Sequence, residues 1–131
     1  MTSKKYTMKY EFNLKYEDIS LTPNYSECLS RADCDTRVSL CGEKFRLPII
    51  PANMKSVIDM RLSKWMSEHG YFYIMHRFGN NLRDIVTQMN KENWENISVS
   101  MGVKLKDKKD IFALAKHKQR IDYVTIDIAH G

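Results

Sequence analysis

Four short polar groups stand directly behind apolar runs: Ala52-Asn53-Met54-Lys55, His76-Arg77, Gly102 and Asp127-Ile128-Ala129-His130-Gly131. Their residue types suggest the handling of a flat, anionic ligand. Arg77 follows the apolar run Tyr71–Met75, where a guanidinium is poised to meet an anion. Asp127 interrupts Ile126-Asp127-Ile128-Ala129, where a carboxylate is costly without a partner; a donor-rich ligand such as a ribose would provide one. The thioether of Met54 packs well on flat rings, although Met in such a place is more often core filler than a ligand contact. Asn53 reads as a ligand contact or as a turn residue held by its own amide. His76 reads as a site residue or as a satisfied buried histidine.

The elements that position these groups are legible from spacing. Apolar runs start at Leu47, Tyr71, Ile97 and Tyr123, about every 25 residues, the length of one strand-plus-helix unit. The spacing predicts strands at Leu47–Ile50, Tyr71–Met75, Ile97–Met101 and Tyr123–Ile128. It predicts helices over 58–69, from a cap at Asn80 or Asn81, and from Asp107 with Ile111, Leu114 and Ala115 inward. Leu62, Trp65, Met66 and His69 share one face of the first helix, and Gly70 stops it. Strict alternation gives a parallel sheet with right-handed crossovers. Ligands bind such sheets at the carboxyl ends of the strands, where all four polar groups fall. An open doubly wound sheet and part of a closed barrel both fit. There is no G-x-G-x-x-G and no G-x-x-x-x-G-K-[ST], which weakens the nucleotide-fold readings. The chain ends on a strand and its turn, so the fold is expected to continue, and unpaired strand edges are expected to make the isolated chain self-associate.

Residues 1–45 lack a helical period and read as an arm and capping segment ahead of a barrel-type region, 46–131. Ile19 and Leu21 give a weak period-two strand signal, and Val38–Phe45 reads as a hairpin around Cys41-Gly42-Glu43-Lys44. At 131 residues, 43% hydrophobic and 28% charged, the chain is one globular domain's worth of sequence. No apolar run spans a bilayer and no signal core follows the N-terminal lysines, so no membrane partner is expected and the cytoplasm is the default compartment. Three cysteines, Cys28, Cys34 and Cys41, lack metal-type pairing and read as reduced, structural thiols; no metal site is expected. The net charge of +5 suits an anionic partner, and a phosphate-bearing small molecule fits it as well as nucleic acid does; no nucleic-acid partner is expected. The charge runs Lys104–Asp110 and Lys116–Arg120 read as solvated helix ends.

Several colinear stretches resemble the IMP dehydrogenase/GMP reductase family, on its bacterial-type GMP reductase branch. They are Tyr16-Glu17-Asp18-Ile19 with Leu21 and Pro23, Ser30-Arg31 with Asp35-Thr36, Leu47–Met54, Tyr71–Phe78, Ile97–Ser100 with Gly102-Val103-Lys104, and Tyr123–Gly131. IMP dehydrogenases usually carry Met-Asp where this chain has Met54-Lys55, and commonly insert a regulatory domain that is lacking here.

The resemblance implies a (β/α)8 TIM barrel of roughly 250 residues, of which this chain supplies the N-terminal segment and about four strands. It implies NADPH-dependent reductive deamination of GMP to IMP and ammonia, an oxidoreductase step of purine nucleotide salvage. It places Asn53 and Met54 at the substrate, with Met54 against the purine. It gives the cofactor Ser30 and Arg31 (reaching into a neighbouring subunit), Arg77 at the phosphate-ribose end, and Asp127, Ile128 and Ala129 at the nicotinamide half. His130 stands where animal members have Asn. The nucleophilic cysteine and a monovalent-cation (K+) site are implied beyond Gly131, so no catalytic residue is expected in this chain, and alone it is expected to be inactive. A homo-oligomer, a tetramer, is implied. The alternative is a non-catalytic half-barrel acting as an interaction or regulatory subunit.

Overall fold

The computed structural model describes residues 14–129. They fall into two compact units that divide between Cys34 and Asp35. The first unit contains two single-turn 3-10 helices, Tyr16–Asp18 and Arg31–Asp33. The strand expected from Ile19 and Leu21 does not form. Both side chains are exposed, Leu21 at 99%, so the period-two pattern has no face to bury.

The second unit begins with the expected hairpin. Strands β1 (Val38–Leu40) and β2 (Glu43–Phe45) pair antiparallel, with Val38 opposite Phe45. Cys41 and Gly42 form its two-residue turn with φ of 52° and 90°, the left-handed pair that matches strand twist. Helix α1 (Met60–Glu68) is capped by Asp59, whose carboxylate accepts the Leu62 N–H at 2.8 Å. It ends at Gly70, φ 72°, where the Tyr71 N–H donates to the Met66 carbonyl. Asn81 caps helix α2 (Leu82–Lys91). Strand β3 (Ser98–Met101), helix α3 (Leu105–Lys116) and strand β4 (Tyr123–Ile126) follow in alternation.

β3 and β4 are parallel, with Ser98 opposite Tyr123 and Met101 opposite Ile126. Met75 bridges Val99, also in parallel, so three successive strand positions lie side by side in chain order. That sequential order is the progression of strands round a barrel.

Other expectations need correction. Leu47–Ile50 is not a strand: Pro48 and Pro51 withhold backbone donors, and Ile49 and Ile50 are exposed. Tyr71–Met75 contributes only the Met75 bridge. Helix α3 starts two residues before Asp107, and of Ile111, Leu114 and Ala115 only Leu114 is buried. On α1, Met66 is buried but Trp65 lies at the rim, stacked on His69 and Tyr71.

One core joins the helices to the strands. Met66, Val86 and Met89 pack with Tyr73, Ile97 and Val99, all under 8% exposed. Polar links tie strand to strand within it. The Tyr73 hydroxyl donates to the Asn96 carbonyl at 2.9 Å, and burial raises its pKa well above the usual phenol value. The Ile97 N–H donates to Asp122 Oδ2 at 2.7 Å, which fixes where β4 begins. The strand ends are thereby held level, and the turns behind them meet on one face.

Candidate functional site

Three of the four polar groups converge at the carboxyl ends of the strands. Arg77, two residues past the Met75 bridge, donates from Nε to Asp127 Oδ2 at 2.9 Å. Asp127 is set by β4, because its own N–H donates to the Met101 carbonyl at 2.8 Å. The guanidinium carbon of Arg77 also sits 4.5 Å from the centroid of the Phe78 ring, in cation–π range. Arg77 Nη1 lies 3.7 Å from the position a Cβ on Gly102 would take, so the guanidinium crosses the end of β3 to reach Asp127. The half-buried Asp127 carboxylate is thus partnered by the Arg77 guanidinium.

Gly102 stands where space is tight rather than where the backbone twists. A Cβ there would stand 2.7 Å from Asp107 Oδ2, inside contact distance. Asp107 lies in the first turn of α3, so the glycine lets that turn close over the end of β3.

His76 is buried, and its Nδ1 accepts the Phe78 N–H at 3.2 Å. With Nδ1 accepting, the ring proton of the neutral imidazole is on Nε2. A cleft of about 340 Å³ opens beside these groups, lined by His76, Arg77, Asn81, Lys106, Asp107 and Asp110. A second, shallower depression of about 460 Å³ is lined by Met54, Lys55, Ser56 and Phe78. Met54 is 53% exposed and therefore not core filler; its thioether is open to a ligand. Asn53 is half-buried in the turn before it, which is closed by Met54 N–H to Ala52 carbonyl at 2.8 Å.

The matching family model is the IMP dehydrogenase / GMP reductase domain, over residues 13–131. The chain belongs to that family. It is 45% identical over 117 residues to the GMP reductase of Helicobacter pylori (strain G27), spanning 88% of this chain and 36% of that protein. It is 44% identical over 116 residues to the GMP reductase of Staphylococcus aureus (strain JH9), with the same coverages. The crystal structure of inosine 5′ monophosphate dehydrogenase from Legionella pneumophila superposes with a TM-score of 0.67 at 25% identity, covering 87% of this chain and 35% of that one. The chain thus spans about a third of the length of these relatives.

Against that family background, the residues singled out from sequence divide in two. Arg77 and Asp127 are brought together, and Met54 faces a depression that Phe78 shares. Ile128 and Ala129 follow Asp127 and are exposed; His130 lies outside the described residues. Ser30 and Arg31 belong to the other compact unit, where the Ser30 hydroxyl caps the turn that starts at Arg31. Sequence reasoning missed Phe78 and Asp107. Phe78 had a signal, an aromatic ring directly after Arg77. Asp107 had none beyond its place at a helix start.

The cysteines are exposed, all three of them, so they are not the structural packing thiols expected. Among the described residues no helix is long and apolar enough to cross a membrane, and no three His, Cys, Asp or Glu side chains are grouped as a metal would require.

Proposed function

We propose that this chain is the N-terminal part of an NADPH-dependent oxidoreductase of purine salvage that converts GMP to IMP. GMP, NADPH and two protons give IMP, NADP+ and ammonium. The observation that carries the reading is the 45% identity to a GMP reductase along 88% of the chain. The barrel is a (β/α)8 barrel, with residues 1–45 as its lead-in and capping segment and 46–131 as its first half. Sequential, parallel strand positions support it.

The strand-end groups fit an NADPH-like ligand. A guanidinium has five N–H donors, so Arg77 can keep Asp127 on Nε and take a phosphate on its remaining edge. When bound, NADPH supplies the hydride. Asp127 holds the guanidinium in place, and together with Ile128 and Ala129 forms the ledge for the nicotinamide half. Met54 and Asn53 hold GMP, with the Met54 thioether against the purine ring. Ser30 and Arg31 reach the cofactor of a neighbouring subunit in a homo-oligomer, a tetramer. The nucleophilic cysteine and the K+ site belong to the other half of the barrel, so the 131-residue chain alone does not turn over.

The test is a chimera that joins this chain to the remaining sequence of the Helicobacter pylori reductase, assayed for GMP-dependent NADPH oxidation beside the chain alone. Activity in the chimera and none in the chain is the expected result. A soluble, folded chimera without activity, or turnover by the chain alone, overturns the reading.

A further inference from the structure

We propose that Cys28 and Cys34 form a dithiol that hydroperoxides convert to an intrachain disulfide. The two sulfurs lie 3.9 Å apart, and both side chains are exposed. A disulfide needs about 2 Å between sulfurs, so closure requires a modest side-chain rotation. The proximity is built by the turn between them. Asp33 Oδ2 accepts the Ser30 N–H at 3.0 Å, and the Ser30 hydroxyl accepts the Ala32 N–H at 3.2 Å. The Asp33 and Cys34 N–H groups donate to the carbonyls of Ser30 and Arg31. Before the turn, the Cys28 N–H donates to the Ser26 hydroxyl at 3.2 Å. The capped turn folds the chain back, so one thiol is held beside the other.

The chemistry balances with a hydroperoxide as oxidant. One thiolate attacks the peroxide; the O–O bond breaks, an S–O bond forms, and the released alkoxide or hydroxide takes up a proton. The second thiol attacks the resulting sulfenic sulfur; the S–O bond breaks, the S–S bond forms, and water leaves with the thiol proton. Two thiols lose two electrons and the peroxide gains them. Dithiol reductants reverse the closure. The loop so closed contains Ser30 and Arg31; an effect on cofactor affinity would rest on the function proposed above, whereas the closure itself does not.

The experiment treats the reduced full chain with hydrogen peroxide in the presence of dimedone, which traps sulfenic acid, and maps tryptic peptides by mass. Arg31 lies between the two cysteines, so trypsin separates them and a disulfide links peptide 16–31 to peptide 32–37. The expected product is that linked pair, 2 Da below the reduced sum, lost on adding dithiothreitol. Cys28→Ser or Cys34→Ser should raise dimedone labelling of the remaining cysteine by about tenfold, because its neighbour no longer captures the sulfenic acid first. Asp33→Ala, which removes the side-chain acceptor holding the turn, should raise labelling part of the way. Equal labelling of the native chain and the single-serine variants, or links that run mainly to Cys41, would overturn the proposal.

Discussion

Arg77→Ala in the active chimera is the most informative single change. The side chain makes a 2.9 Å ion pair with Asp127, and the two side chains are 38% and 26% exposed. An exposed pair of this kind contributes about 0.2–1 kcal/mol to stability, because solvent screens it. The loss of folding stability should therefore be small, at most about 4 °C in melting temperature for a protein of barrel size. Binding is different. A charge-assisted hydrogen bond from the guanidinium to a phosphate is worth about 1.5–3 kcal/mol, a tenfold to hundredfold rise in the cofactor KM. The bare Asp127 carboxylate left behind would repel the same phosphate and push the value toward the upper end. The GMP KM should change little, since Met54 and Asn53 are untouched. Steady-state kinetics with NADPH varied, beside thermal melts, separates these effects. Asp127→Asn is the companion: it breaks the ion pair but keeps the guanidinium, so it should match the melting loss with a much smaller rise in cofactor KM. If both variants lose the same few degrees and neither changes the cofactor KM, Arg77 is a rim ion-pair residue only and leaves the site.

Other outcomes are equally specific. Gly102→Ala places a methyl group 2.7 Å from Asp107 Oδ2, the free end of a side chain that can swing aside, and should cost no more than about 1 kcal/mol in urea unfolding; a larger loss that Asp107→Ala in the same chain does not recover would mean that Gly102 serves another purpose. The Glu92 carboxyl is held down to about 2 by the Trp94 indole N–H, the Gln88 amide and the Lys64 ammonium. A depressed carboxyl pKa contributes stability that is present above its ordinary value of 4.5 and is lost as pH falls toward 2, so the stability gap between the native chain and Glu92→Gln should close over that interval in acid denaturation; a gap independent of pH would refute the assignment. The isolated chain should self-associate, because β4 has only β3 as a partner among the described residues and exposes Val124 and Ile126; light scattering showing a monomer at high micromolar concentration would count against it.

By itself, the sequence determined whatever depends on near neighbours. The hairpin turn at Cys41-Gly42, the cap at Asn81 and the stop at Gly70 are local chemistry, and each formed where its residues stand. The period of strand and helix units, and with it the face that would carry the polar groups, was legible for the same reason, as was the family resemblance. Pro48 and Pro51 were equally visible, yet their cost to Leu47–Ile50 depends on whether a neighbouring strand needs the missing donors. Only the tertiary structure decided which polar groups meet. Fifty residues separate Arg77 from Asp127, and nothing in either neighbourhood names the other; the level ends of parallel strands bring them to 2.9 Å. The tight space at Gly102 arises likewise, from a helix turn closing over a strand end, a contact that exists only once the crossover has folded back.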